Sequence, residues 1–268
     1  MSQPAAATNA FLVATQRALD YAGFAPPSPG ATCVLVFDST LWNTHIASVH
    51  GLLNAVEQAR AMRFRFERDR EPYAVGHAVW RIVLAACLNV PISAVPLVST
   101  ASGQPHLPGT RWVTSLSHSG SWVAIAVGEA DCIGVDIERS PSQMNLSALM
   151  PRFCTPAECV QLSGLPTPLR ETRLLALWTR KEALLKAFGT GLNEDPASMA
   201  AAENTIVAAP ASCGRTAVCH VRDLDLPASL VGALAVPAGA MSHRLYWLDR
   251  CSNDVYGCNS AETSIRSN

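Results

Sequence analysis

The sequence predicts an α/β (α+β) fold in which two similar units of about 100 residues follow one another. Segments of period two alternate with segments of helical period, in the order strand, helix pair, strands, and that order occurs twice. The chain has 268 residues, enough for one large domain or two small ones. Hydrophobic residues make up 49% of it, which supplies a real core. The two units share no visible sequence identity.

The elements follow in order. Residues 1–30 form an N-terminal extension, with a short amphipathic helix over about 5–20 and then the Pro-rich loop Phe24–Gly30. Residues 31–131 are the first α/β half. Cys33–Phe37 reads as a strand, Ser48 to about Phe66 as a helix, and Pro72 to about Leu88 as another. Val95–Ser99 and Trp112–Val127 are strands, the second span being two strands joined by a tight turn at His118-Ser-Gly-Ser121. Residues 132–250 are the second half. Ile133–Glu138 is a strand, helices follow near 145–163 and 170–188, and Val218–Val221 and Val231–Val236 are strand-like. The Ser/Asn-rich stretch 251–268 is expected to be a flexible tail.

Composition excludes several classes. No run of about eighteen apolar residues predicts a membrane span. The first residues lack a basic region and make a poor signal peptide. A net charge of −1 argues against general nucleic-acid binding. The nine cysteines never form Cys-x-x-Cys and several lie in apolar runs; they read as free, mostly buried thiols of a reducing cytoplasm. No Gly-rich phosphate loop of the Walker or dinucleotide type occurs.

The most informative residues are Asp136 and Glu138 in Cys132-Ile-Gly-Val-Asp-Ile-Glu138. They alternate with Val135 and Ile137, so both carboxylates point to one face, about 6 to 7 Å apart. Like charges so placed repel, and an intervening cation or water relieves them. A hard divalent ion, Mg²⁺ above all, suits this oxygen pair. Gly134 starts the same face and is read as leaving it open to a ligand. In the helix through Leu177–Phe188, Trp178, Glu182 and Lys186 fall in one stripe. Taken alone, Glu182 and Lys186 could be an ordinary i,i+4 surface pair. His118 sits at a strand end among hydroxyls and free backbone N–H groups, a setting for phosphate or for solvent. His77 reads as a core or surface histidine rather than a ligand. Arg60, Arg63, Arg65, Arg68 and Arg70 are either a solvated helix face, a phosphate clamp or a docking patch for an acidic protein.

Read together, the segments acquire a family likeness. Gly-Val-Asp-Ile-Glu (134–138) followed by Trp-x-x-Lys-Glu-Ala-x-x-Lys-Ala-x-Gly-x-Gly (178–191) resembles the signature pair of the 4′-phosphopantetheinyl transferases. Ser115–Gly120, Gly103–Pro108 and the arginine-rich Arg63–Arg70 resemble further motifs of that family's surfactin-synthetase-activating type, in matching order from about residue 55 to 192. The resemblance implies a pseudo-twofold pair of units with the active site in the cleft between them. It implies transfer of the 4′-phosphopantetheine arm of coenzyme A to a serine of an apo acyl or peptidyl carrier protein, with release of adenosine 3′,5′-bisphosphate. Asp136, Glu138 and Glu182 would hold Mg²⁺, with Glu182 also a candidate base. Lys186 would contact the pyrophosphate, Ser117 and His118 the nucleotide and its phosphates, and Lys181 would lie near the phosphates. Gln104 stands where many relatives carry Lys, and Arg60, Arg63 or Arg111 would supply the missing charge. The likeness implies a cytoplasmic monomer serving polyketide, nonribosomal peptide or fatty acid synthesis, without nucleic acid or membrane. Two other readings compete with it: a non-catalytic coenzyme A or nucleotide-binding module, and a structural protein.

Overall fold

The computed structural model describes residues 4–100, 103–213, 216–240 and 242–248. The tail 251–268, with Cys251 and Cys258, lies outside the described residues. Among the described residues, ten strands and seven α-helices follow in the order α1 (Pro4–Tyr21), β1 (Ala31–Asp38), α2 (Ile46–Val49), α3 (Ala55–Ala61), α4 (Glu67–Leu88), β2 (Val98–Ser99), β3 (Pro105–His106), β4 (Trp112–Ser119), β5 (Trp122–Glu129), β6 (Gly134–Arg139), α5 (Leu146–Phe153), α6 (Pro156–Ser163), α7 (Thr167–Phe188), β7 (Thr205–Ala208), β8 (Val218–Asp223), β9 (Leu230–Pro237) and β10 (Ser242–Trp247). The fold is mixed α/β, as the sequence predicts.

One four-stranded sheet has the order β10-β1-β5-β4 and another the order β6-β9-β8-β7, while β2 and β3 form a small ribbon. All pairings are antiparallel except β1 with β10, which run parallel. β10 therefore belongs to the first sheet although it follows the whole second sheet in the chain. Sequence reading passed over β10 and β7. Both are short, and β10 is held by pairing with a strand far away in the sequence.

Three apolar cores hold the molecule. In the first, Leu35, Phe37, Val123 and Ile125 of the first sheet pack against Val79 and Val83 of α4 and Phe11 and Leu19 of α1. The N-terminal helix is thus built into this core, with Trp42 Nε1 donating to Thr15 Oγ1 at 3.0 Å. In the second, Leu174, Leu177, Leu184 and Phe188 of α7 cover β8 and β9. The third joins the sheets, with Val34, Val36 and Ala124 meeting Val135, Ile137 and Leu234.

Two long predicted helices are broken. The segment expected to run from Ser48 to Phe66 stops and restarts at Asn54. Its side chain accepts from Glu57 N–H at 2.8 Å, while the Glu57 carboxylate accepts from Asn54 N–H at 2.8 Å. This reciprocal cap begins α3 and satisfies two amides that a continuous helix would bond internally. The segment 145–163 divides the same way at Thr155, capped by Glu158, with Pro156 at the first helical position.

Gly134 corrects another expectation. It is buried, and the space a side chain would take is filled by α7. A Cβ there would lie 1.9 Å from Ala183 O and 2.6 Å from Ala187 N, both in α7. The missing side chain lets the backbone of α7 lie directly on β6, which brings Lys186 within reach of Asp136. Because the obstacle is backbone, Gly134→Ala must push the helix away. We expect a loss of about 3 kcal/mol or more, the upper end for overpacking, read as a lowered denaturant midpoint. An unchanged midpoint would refute this account of the contact.

Candidate active site

β4, β6, α4 and α7 converge on a cavity of about 440 Å³. Its lining includes Arg60, Tyr73, His77, Trp80, Gln104, Ser117, His118, Asp136, Glu138 and Lys186. Strand alternation turns Asp136 and Glu138 to this side while Val135 and Ile137 enter the apolar seam between the sheets.

Asp136 is the centre of the polar network. Its side chain is almost fully buried. Oδ1 accepts from Ser117 Oγ at 2.7 Å and from Lys186 Nζ at 2.8 Å. Oδ2 is buried and has no partner. A buried acceptor without a partner costs free energy, so this oxygen marks where a ligand or ion is wanted. Lys186 also donates to Val135 O at 3.1 Å. It crosses to β6 instead of pairing back with Glu182, so the ordinary i,i+4 reading fails.

The remaining carboxylates share one field. Burial and the charge on Asp136 push Glu138 above its ordinary pKa, against a bond from Ser119 and the charge of Lys186. Glu182 is half-buried and does not line the cavity. Burial raises it too, followed by the charge of Asp136, with Glu138 adding to the rise and Lys186 opposing it. A divalent cation would relieve both groups. Among the described residues, however, no three His, Cys, Asp or Glu side chains already form a metal cage. The orphaned Oδ2 and the all-oxygen donor set fit a hard cation, and the preformed part of such a site is Asp136 with Glu138.

The opposite wall is cationic and aromatic. His77, which sequence reading set aside, lines the cavity. Its Nδ1 lies 3.2 Å from Glu57 Oε1, and Arg81 Nε donates to Glu57 Oε2 at 2.6 Å. Burial pushes the Glu57 carboxyl up, but bonds from His77, Arg81 and Asn54 outweigh it and hold the group below its ordinary value. The His77 ring stacks on Tyr73 at 4.1 Å between centroids, and the Arg60 guanidinium lies 5.7 Å over the other partner of that stack, Tyr73. Trp80 Nε1 donates to Thr114 Oγ1 at 2.7 Å. The helical spacing of Tyr73, His77 and Trp80 was the available signal. The deciding partner, Glu57, lies twenty residues upstream.

His118 stands at the exposed rim. Desolvation on its cavity side and the positive charges of Lys186, His77 and Arg60 push it below its ordinary value.

Other expected ligands fall elsewhere. Lys181 is fully buried on the far side of α7. Its three donors go to Phe153 O at 2.6 Å, Glu158 Oε2 at 2.7 Å and Pro196 O at 3.0 Å. An ammonium with three protons has none left for a phosphate. Arg63 is exposed and does not line the cavity. Arg111, 88% exposed, pairs with Glu129 at 3.6 Å. Of the three arginines considered as replacements at position 104, only Arg60 faces the cavity. Gln104 itself lines the cavity, but its Nε2 donates to Lys186 O at 3.2 Å. Gly189, with φ +75°, leaves room for that amide, since a Cβ there would lie 2.2 Å from Gln104 Oε1.

The cysteines stand apart from this chemistry. None of those in the described residues lines the cavity. Burial pushes Cys33 up to about 11 and Cys87 up to about 12, so both are unreactive thiols. No described helix is long and apolar enough to cross a membrane.

Comparison with known proteins agrees with this geometry. A family described as "4′-phosphopantetheinyl transferase superfamily" matches residues 132–231, and one described as "4′-phosphopantetheinyl transferase, N-terminal" matches residues 41–130. The chain is 31% identical over 178 residues to the 4′-phosphopantetheinyl transferase HetI of Nostoc sp., covering 62% of this chain and 75% of that one. It is 30% identical over 141 residues to the 4′-phosphopantetheinyl transferase psf-1 of Bacillus pumilus, covering 51% of this chain and 58% of the relative. Against the human L-aminoadipate-semialdehyde dehydrogenase-phosphopantetheinyl transferase the identity is 26% over 148 residues, which span 51% and 48% of the two chains. The first match reaches across three quarters of its relative and the two family matches together contain the cavity residues, so this chain belongs to the 4′-phosphopantetheinyl transferase superfamily.

Proposed function

We propose that this enzyme, which moves the phosphopantetheine group of coenzyme A onto a carrier protein, works with Mg²⁺ held by Asp136, Glu138 and Glu182 and releases adenosine 3′,5′-bisphosphate. The observation that carries the reading is Asp136, with one oxygen held by Lys186 and Ser117 and the other buried and unpartnered beside a cavity of about 440 Å³. When bound, the cation supplies charge neutralisation on the diphosphate oxygens.

The chain's own groups do the rest. The carrier serine oxygen forms a bond to the phosphorus nearer the pantetheine. The bond from that phosphorus to the bridging oxygen breaks, and the leaving nucleotide keeps the electron pair. Glu182, whose carboxyl burial and neighbouring charges make more basic than usual, takes the serine proton. Lys186 exchanges Asp136 for a phosphate oxygen. His118 and Ser117 face the nucleotide, and Arg60, over the Tyr73 ring that packs on His77, supplies the positive charge for its remaining phosphate.

The two four-stranded sheets, each covered by helices, support reading the chain as two related halves with the cavity as the cleft between them, with the boundary of 31–131 and 132–250 crossed by β10, which returns to complete the first sheet.

Incubation with coenzyme A, Mg²⁺ and a panel of apo carrier proteins tests the reading. The expected result is a mass gain of one phosphopantetheine on at least one carrier; no gain on any of them would overturn it. Lys186→Ala should weaken coenzyme A by about 1.5 to 3 kcal/mol, the range for a hydrogen bond to a charged group. His118→Ala, at the exposed rim, should fall at the lower end of that range. Affinity for carrier protein should change less. Unchanged coenzyme A titrations in both variants would move the nucleotide pocket elsewhere.

A further inference from the structure

β4 and β6 are edge strands of different sheets, and no backbone ladder joins them. Serine hydroxyls do so instead. Ser115, Ser117 and Ser119 alternate along β4 and so share one face. Ser115 Oγ accepts from Val135 N–H at 3.1 Å, and Ser117 Oγ donates to Asp136 Oδ1 at 2.7 Å. Ser119 Oγ donates to Glu138 Oε2 at 2.6 Å and accepts from Arg139 N–H at 3.2 Å.

The last pair fixes more than a distance. A hydroxyl has a single proton. The Arg139 amide already supplies the proton along its own bond, so the Ser119 proton points to the carboxylate. The rotor is set, and the carboxylate is set with it. Glu138 is only half-buried, and among the described residues no other hydrogen bond restrains its side chain. One of its oxygens is held against β4 while the other remains available to the cavity.

We propose that Ser119 is a positioning residue that acts through Glu138, orienting its carboxylate for the cation and locking the register of β4 against β6. The inference rests on the reading above, in which Glu138 is a metal ligand. Groups that orient a metal ligand from behind typically change metal affinity by about 10- to 100-fold when removed.

The test measures divalent-ion binding, not turnover. Mn²⁺ is titrated calorimetrically into the full chain with coenzyme A present, for the unaltered protein, Ser119→Ala, Ser119→Thr, Ser119→Cys, Glu138→Gln and the double variant Ser119→Ala/Glu138→Gln. Ser119→Ala should weaken Mn²⁺ about tenfold. Ser119→Thr, which keeps the hydroxyl, should restore most of the loss. The double variant should bind no worse than Glu138→Gln alone, because Ser119 has no other route to the ion. If Ser119→Ala is too unstable to titrate, Ser119→Cys carries the same expectation, with similar size and a weaker donor. Unchanged affinity in Ser119→Ala or Ser119→Cys beside a loss in Glu138→Gln would overturn the inference and leave the metal reading intact. Additive losses in the double variant would overturn it too. Unchanged affinity in Glu138→Gln would overturn the metal assignment of Glu138, and this inference with it.

Discussion

Asp136→Asn should reduce transfer by about 10²- to 10³-fold, the range seen when one preorganised electrostatic group is removed from an active site, while the protein remains folded. The substitution keeps an oxygen for Ser117 and Lys186, which hold Oδ1 at 2.7 and 2.8 Å. It replaces the unpartnered Oδ2 with a donor, which repels a cation. The measurement is single-turnover transfer at saturating Mg²⁺, with thermal unfolding as the control. Glu182→Ala should show a loss of similar size through the rate, since it removes the proposed base. Near wild-type transfer in either variant would end the role assigned to that residue.

Lys181→Met should do the reverse. Lys181 is fully buried and bonded to Glu158 and to the carbonyls of Phe153 and Pro196. Removing the ammonium leaves a half-buried carboxylate with its cation gone, held only by the Thr155 and Ala201 amides, and takes a donor from two carbonyls. Breaking a buried ion pair from one side costs about 3 to 5 kcal/mol, which for a chain of this size lowers Tm by roughly 10 °C. Coenzyme A affinity of the folded protein should be unchanged. A variant that kept its Tm but lost coenzyme A affinity would return Lys181 to the phosphate site.

The contrasting placements of Asp136 and Lys181 show where the sequence was legible. A strand has a period of two, so the common orientation of Asp136 and Glu138 could be read from Val135 and Ile137. The one-turn spacing of Glu182 and Lys186 was equally plain. Lys181 was misplaced because the motif reports spacing but not which side of α7 meets the sheet. Five residues from Lys186 at 100° each put Lys181 about 140° away around the helix, towards α5 and α6. His77 was missed because its orientation depends on Glu57, and that contact exists only once α3 packs on α4. Gly134 was read as an opening because a glycine in a strand looks the same in sequence whether a ligand or a helix backbone fills the space. The α/β class followed from alternating periods. The parallel seat of β10 did not, since nothing local to residues 242–247 names its partner.

That seat of β10 bears on how the chain is made. Ala31 pairs with Ser242 and Val36 with Trp247, so the earliest strand to emerge from the ribosome waits for the latest described one. Until then β1, whose side chains from Thr32 to Phe37 are all buried in the finished protein, has an unpaired edge rich in apolar residues, the kind of surface that recruits other strands. Pairing across so much chain carries a large loop-closure cost and slows folding. Synthesis of this enzyme therefore passes through a long interval in which the first sheet lacks one edge, and a chain cut short before residue 242 is left in that aggregation-prone state.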